Sequence, residues 1–136
     1  MGVTSLLDSA DPGHTVRHPI GGDLAAHRQQ VREFLAPLDL GGQASEDFVL
    51  AVDEAIVNVL EHAGGRGTLI LTRGGGEVSA QVCDRSGRLI PDDAGLEPPS
   101  PGAPRGYGLY LIRQFCDDVR ITRLVDGTCV QMTLRL

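Results

Sequence analysis

The sequence predicts a two-layer α+β sandwich. Three observations support this prediction: the first half of the chain carries two helical patterns, the second half carries short alternating runs joined by turns, and a third helical pattern lies between the two pairs of runs. Helices and antiparallel hairpins that segregate in this way form one helical layer packed on one sheet. With 136 residues, the chain is long enough to bury a hydrophobic core in a single domain.

The N-terminal segment is predicted to be a tail followed by an edge strand. Residues 1–14 are small, polar and rich in turn formers, so we expect a flexible tail before a domain that spans residues 15–136. The run over 15–18 predicts a short strand, and Pro19 closes it because proline donates no hydrogen bond to a sheet.

Two helices are expected after this strand. Apolar residues recur at helical spacing over 23–36, where Asp23 is the expected N-cap. The second helix is predicted to begin at Ser45, with acidic residues in its first turn, and to end near Ala63 before two glycines. The apolar residues of this second helix fall on one face: Phe48, Val52, Ala55, Ile56, Val59 and Ala63.

The second half of the chain changes to the alternating pattern of strands. Asp126-Gly127 is a hairpin turn signal. A loop over 84–106 is rich in Pro and Gly, and a long loop of this kind is usually functional, so we expect its residues 85–105 to be the most mobile internal segment. The predicted elements are strands over 68–72, 78–82, 119–123 and 128–134 and a helix over 107–116.

The charge and hydropathy of the chain exclude several classes of function. The net charge is −6 and all 12 basic residues are arginines, so we do not expect binding to nucleic acid or to an anionic membrane surface. No apolar run reaches the roughly 18–20 residues that a membrane span needs. The first residues lack the features of a signal peptide, and we therefore expect a cytoplasmic protein.

The three cysteines are expected to be free thiols. Cys83, Cys116 and Cys129 cannot all pair within one chain, and no CxxC motif is present. This usage fits a reducing compartment and favours neither a structural zinc site nor a disulfide scaffold.

The second helix carries the first candidate for chemistry. Glu54 and Asn58 are four residues apart, so their side chains project side by side. A carboxylate beside an amide oxygen suits a hard cation such as Mg²⁺, with the carboxylate left to handle a substrate hydroxyl. The alternative is a solvated polar stripe shared with Asp47 and Glu61. His62 is either a ligand or a cap of the helix C-terminus.

Two further features follow along the chain. Asp84 is expected where a strand gives way to the long loop. A buried aspartate there can accept a hydrogen bond from the exocyclic amine of adenine, and an Asx-type turn is the alternative.

Gly106 and Gly108 open the third helix, where glycines let the backbone approach a ligand and free amides bind phosphate. The order of these features is more specific than any one of them.

Together these motifs resemble those of the GHKL ATPases. Residues 54–63 are similar to the N-box of that superfamily, 84–87 to its first glycine box and 106–109 to its second. Among its branches, the chain looks most like the anti-sigma-factor serine kinases, and the resemblance covers roughly residues 15–136. It implies the Bergerat fold of the histidine-kinase-like ATPases, with three main helices over one face of a mixed sheet and ATP held under a mobile loop.

The resemblance also implies a role for each motif. Glu54 would be the general base toward a substrate serine, and Asn58 would hold Mg²⁺ against the phosphates of ATP. The family usually has glycines where this chain has Ser86 and Arg88, in the first glycine box. The residues implied to contact the nucleotide are Asn58, Asp84, Gly87, Arg105, Gly106, Gly108 and Leu109.

The expected function follows from the same resemblance. It implies an anti-sigma factor that is a protein serine/threonine kinase, phosphorylates an antagonist protein, sequesters a sigma factor and forms a homodimer. The alternative is a nucleotide-binding interaction switch that has lost catalysis, which the altered first glycine box keeps open. The ATP-binding half of a histidine kinase is disfavoured, because we find no pair of dimerisation helices with a phospho-acceptor histidine.

Overall fold

A computed structural model describes residues 13–62, 66–85 and 107–136, which form one sheet with helices packed against it. The predicted two-layer α+β fold is confirmed. No helix in this described part of the chain is long and apolar enough to cross a membrane. The elements are β1 (His14–Pro19), α1 (Leu24–Leu35), a 3-10 turn (Ala36–Leu38), α2 (Gly42–His62), β2 (Gly67–Gly74), β3 (Glu77–Asp84), α3 (Tyr107–Phe115), β4 (Asp118–Leu124) and β5 (Gly127–Arg135).

The five strands lie in the order β1-β2-β3-β5-β4, and each neighbouring pair is antiparallel. The expectation of a mixed sheet is therefore wrong for the described strands. The chain runs from β3 through α3 to β4, and these two strands point the same way. They would form a parallel pair if they were adjacent, but β5 lies between them and pairs with both.

The core lies between the helices and one face of the sheet. The predicted apolar face of α2 is buried from Phe48 to Val59; Ala63 lies outside the described residues. Alternate residues of the central strands face this layer, as the two-residue period of a strand requires. The buried apolar residues of these strands are Leu69, Leu71, Val78, Ala80, Val82, Val130 and Met132.

The helix starts agree with the sequence in one case and differ in the other. Asp23 is the N-cap of α1, and its Oδ1 accepts a hydrogen bond from the Ala26 amide at 3.1 Å. The prediction that the second helix begins at Ser45 is wrong, because α2 begins at Gly42. The Ser45 amide already donates to the Gly41 carbonyl at 3.0 Å, so Ser45 completes the first helical turn and does not cap it.

The β4–β5 turn is displaced by one residue from the predicted one. Gly127 pairs with Leu124 as the first residue of β5, so Val125 and Asp126 form the turn. The prediction of an Asp126-Gly127 turn is therefore wrong. In the β2–β3 hairpin the turn is the pair Gly75-Gly76, which adopts φ values of +64° and +82° that favour glycine.

The prediction of three free thiols is also wrong. Cys83 and Cys129 form a disulfide that joins β3 to β5. They are direct register partners with Cα atoms 4.0 Å apart, close to the roughly 4.5 Å of the narrower pair type in antiparallel sheets. Cys116 is a free thiol, and burial next to Asp117 raises its pKa to about 12, so the thiol is neutral near pH 7.

Candidate functional site

The middle helix of the layer, α2, presents the first pair of candidate residues. It packs between α1 on one side and α3 on the other. Glu54 and Asn58 are one helical turn apart and half-buried, whereas their neighbours Ala55 and Val59 are fully buried in the core. The apolar face thus holds the helix in place and turns the two polar side chains toward the edge of α3.

Gly108, in the first turn of α3, lies directly against this pair. A Cβ atom at this glycine would lie 3.3 Å from Glu54 Oε2 and 3.5 Å from Asn58 Nδ2. The absence of a side chain therefore lets the first turn of α3 lie directly against a carboxylate and an amide. Amides at a helix start bind anions, so the start of α3 is a candidate position for phosphate.

Glu54 has the electrostatic character of a proton acceptor. Partial burial raises the pKa of its carboxyl group above the ordinary range, and the neighbouring charges of Asp53 and Glu61 raise it further. A carboxylate whose pKa is raised toward neutrality accepts a proton more readily than an unperturbed one.

Asp84 lies at the end of β3, on the face of the sheet that packs against the helices, and the residue is 5% exposed. Its register partner on β5 is Thr128, which is 1% exposed. Two buried polar side chains thus lie opposite each other at one end of the sheet. The carboxylate accepts hydrogen bonds, and the hydroxyl both donates and accepts them.

Two glycines set the position of this strand end. A Cβ at Gly67 on β2 would overlap the Cys83 carbonyl, and a Cβ at Gly127 on β5 would overlap the Asp84 carbonyl. The neighbouring backbones therefore approach β3 from both sides as closely as glycine allows. The sequence alone assigns no role in the site to Gly67, Gly127 or Thr128, because the role of each depends on which strands become neighbours of β3.

The structure brings three of the predicted site residues into contact range: Glu54, Asn58 and Gly108. Leu109 is partly buried and packs against the core. The loop segment 86–106 lies outside the described residues, and with it the predicted site residues Gly87, Arg105 and Gly106. The side chain of His62 also lies outside them.

The amide oxygen of Asn58 is a candidate ligand for a hard cation. Oxygen ligands are the ones that Mg²⁺ takes in proteins, and phosphate oxygens and water usually complete its shell. Within residues 13–62, 66–85 and 107–136, no group of three or more His, Cys, Asp or Glu side chains could hold a metal ion.

Comparisons with known proteins agree on the class of fold. The profile of the histidine kinase-like ATPase domain matches residues 21–134, which is most of the chain. A similar solved structure is that of the RsbU and RsbW domains of Rv1364c from Mycobacterium tuberculosis, with a TM-score of 0.67 and 22% identity over 90% of this chain. The match spans 32% of that longer chain, and at this identity it shows the fold alone. No curated protein matches this sequence.

Proposed function

The chain belongs to the histidine kinase-like ATPase family, and from that premise we propose that it is a protein serine/threonine kinase that acts as an anti-sigma factor. It binds ATP with Mg²⁺, phosphorylates an antagonist protein and sequesters a sigma factor. The observation that carries this proposal is the close approach of Gly108 to Glu54 and Asn58, because it places a base and a metal ligand against the start of a helix.

Each side chain has a distinct task in this proposal. Asn58 and the start of α3 hold the phosphates, and Mg²⁺, when bound, neutralises part of their charge. Glu54 accepts the proton of the substrate hydroxyl while that oxygen forms a bond to the γ-phosphorus. The bond between this phosphorus and its bridging oxygen breaks, and ADP leaves with the electron pair. Phosphoryl transfer asks of a protein mainly that it position these groups.

Asp84 is proposed to select the base. A buried carboxylate accepts a hydrogen bond from the exocyclic amine of adenine, whereas guanine presents a carbonyl oxygen at the same position. Thr128 lies opposite Asp84 and supplies a hydroxyl that is able to donate or accept. A site that selects by a hydrogen bond to a buried group rejects an analogue that leaves the group unpaired.

The partners in this proposal come from the resemblance of the motifs to those of anti-sigma-factor kinases. The fold shared with a structure that contains an RsbW domain is consistent with it. We propose in addition a homodimer and a cytoplasmic location. With a net charge of −6, the chain is not expected to contact nucleic acid directly.

A second candidate is a nucleotide-binding switch without catalysis. Ser86 and Arg88 stand where the family usually has glycines, and this departure is the observation that favours it. In this case the protein would bind its partners with or without nucleotide but would transfer no phosphate.

Single-turnover transfer of labelled phosphate to candidate antagonist proteins tests the two functions. Glu54→Gln should keep ATP affinity and slow the transfer by about 10²–10⁴-fold, the usual contribution of a general base. Asn58→Ala should weaken both nucleotide binding and transfer. Asp47→Asn is the control, because Asp47 lies on the same helix and is hydrogen-bonded to Gln43 at 2.7 Å.

The outcomes separate the candidates. An unchanged rate in Glu54→Gln removes Glu54 from the mechanism. An absence of transfer by the wild-type protein, with ATP binding intact, supports the switch and contradicts the kinase.

A further inference from the structure

The Cys83–Cys129 disulfide joins β3 to β5 at the end of the sheet that carries the candidate adenine site. Cys83 precedes Asp84 on β3, Cys129 follows Thr128 on β5, and the two cross-strand pairs are consecutive in the register. Successive side chains of a strand point to opposite faces. Asp84 and Thr128 are therefore buried on the face that packs against the helices, whereas both cysteines lie on the outer face and are half-buried.

A cavity of about 210 Å³ lies beside this disulfide on the outer face. Cys83 and Thr68 of β2 line it, and Cys129 is not among the described residues that do so. Thr68 is the register partner of Cys83 on the side away from Cys129, so the cavity borders the Cys83 side chain opposite the S–S bond. A thiolate that exchanges with a disulfide attacks one sulfur and displaces the other, and here the accessible sulfur is that of Cys83.

The backbone between the disulfide and the site has little freedom to adjust. A Cβ at Gly67 would overlap the Cys83 carbonyl, and a Cβ at Gly127 would overlap the Asp84 carbonyl. The neighbouring strands thus confine this part of β3 from both sides. A shift of Cys83 relative to β5 is therefore passed on to Asp84.

We propose that Cys83–Cys129 is a reversible thiol–disulfide exchange site whose redox state controls how firmly Asp84 and Thr128 are held opposite each other. Its effect on the nucleotide rests on the proposed role of Asp84 in binding adenine. In the oxidised form, the covalent link fixes the two strands, so the polar pair is preorganised for the base. In the reduced form, backbone hydrogen bonds alone hold the pair. The cytoplasmic location proposed above also favours a transient, redox-sensing disulfide over a structural one.

The reductant in this exchange is a dithiol. Its first thiolate forms a bond to the Cys83 sulfur, the S–S bond breaks, and Cys129 leaves as a thiolate that takes up a proton. The second thiolate of the reductant then attacks its own sulfur in the mixed disulfide, and Cys83 leaves and is protonated in turn. Two electrons and two protons pass to the protein, and the dithiol becomes a disulfide.

The third cysteine does not compete in this exchange. Burial and the neighbouring Asp117 raise the pKa of Cys116 to about 12, so its thiol is neutral near pH 7. The thiolate is the nucleophilic form of cysteine. Cys116 therefore stays a thiol in both redox states of the protein.

The first experiment locates the exchange in the folded protein. Dithiothreitol should reduce the disulfide without denaturant, and circular dichroism should show that the reduced protein keeps its fold. Oxidised glutathione is then added to each single-cysteine partner variant and the mixed disulfide is followed by mass spectrometry. Cys129→Ser, which leaves Cys83 beside the cavity, should react several times faster than Cys83→Ser.

The second experiment measures nucleotide affinity in the two redox states by calorimetry. Reduction should weaken ATP binding about two- to tenfold, the factor that one hydrogen bond contributes. The double variant Cys83→Ser with Cys129→Ser should bind ATP as the reduced protein does and should not respond to dithiothreitol. Cys116→Ser is the matched control, because it keeps the disulfide and should respond as the wild-type protein does.

Thermodynamic linkage supplies a third measurement. If oxidation tightens ATP binding by some factor, ATP must favour the disulfide over the two thiols by the same factor. A tenfold effect makes the midpoint potential of the pair more negative by about 30 mV in a redox titration with saturating ATP and Mg²⁺. GTP should leave the midpoint unchanged.

The outcomes distinguish this proposal from the proposed function. The amide NMR signals of Asp84 and Thr128 should shift on reduction, while those of Gly75 and Gly76 at the other end of β3 should not. If they shift but neither redox state binds ATP, the exchange site stands and the proposed nucleotide function fails. Unfolding of the reduced protein, resistance to dithiothreitol in the folded state, unmoved signals, or equal ATP affinity in both states overturns the proposal.

Discussion

Gly108 shows most clearly how one residue can serve the site at the expense of its element. Glycine in a helix costs up to about 1 kcal/mol relative to alanine, yet Gly108 stands in the first turn of the nine-residue helix α3. Its lack of a side chain lets α3 lie directly against Glu54 and Asn58. Its identity is therefore explained by the site and not by the helix.

Gly108→Ala is predicted to change stability and binding in opposite directions. The new methyl group lies 3.3 Å from Glu54 Oε2, closer than Cβ atoms usually lie to their neighbours, and it displaces the Glu54 side chain or the start of α3. ATP affinity should therefore fall about tenfold or more, which is about 1.4 kcal/mol. The melting temperature should stay the same or rise, because alanine favours the helix. Calorimetry and thermal unfolding measure the two effects. Gly22→Ala, where a Cβ meets nothing within 4 Å, is the control.

An equal loss of affinity in the two glycine variants would contradict this account of Gly108. So would an unchanged affinity in Gly108→Ala, because the close approach of α3 to Glu54 and Asn58 would then not affect nucleotide binding.

At the scale of elements, the end of β3 depends on its two neighbouring strands. The sequence predicted Asp84 at a strand end from its local pattern alone. It could not predict Thr128 opposite it, or the disulfide one residue away, because both depend on the pairing of β3 with β5. These strands are separated by the long loop, α3 and β4, and no local pattern encodes which of them become neighbours.

Gly127→Ala is predicted to disturb this strand end. A Cβ there would overlap the Asp84 carbonyl, so β3 and β5 must separate, at a cost of about 1–3 kcal/mol in the free energy of unfolding. The displacement of Asp84 should also reduce the preference for ATP over GTP. Urea unfolding and competition binding measure the two effects. Gly41→Ala has nothing within 4 Å of its new Cβ and should lie within about 0.5 kcal/mol of wild type.

The disulfide should stabilise the sheet under oxidising conditions. Cys83 and Cys129 are 46 residues apart, and closing a loop of that length contributes about 4 kcal/mol in the chain-entropy description. Urea unfolding with and without a reductant measures this difference, which should vanish when both residues are replaced by serine. Three alkylated thiols in the unfolded, unreduced protein would contradict the pairing.

At the scale of the whole molecule, the fold class could be predicted because it depends on local periodicity. The two hairpins and three helices each carry their own pattern, and their order alone favours a helical layer on a sheet. The pairing of Glu54 with Asn58 follows from helical spacing. Their contact with Gly108 depends on the packing of α3 against α2, which no local pattern encodes. The antiparallel path of the sheet could not be predicted, because it depends on β5 inserting between β3 and β4.

The central claim is that this fold holds an adenine nucleotide between α2, the end of β3 and the start of α3. Calorimetric titration of the purified protein with ATP, ADP and GTP, with and without Mg²⁺, tests it most directly. We predict Mg²⁺-dependent binding of ATP and ADP, no binding of GTP, and weaker ATP binding in a folded Asp84→Ala variant. An absence of ATP binding, or equal affinity for ATP and GTP, would contradict the account.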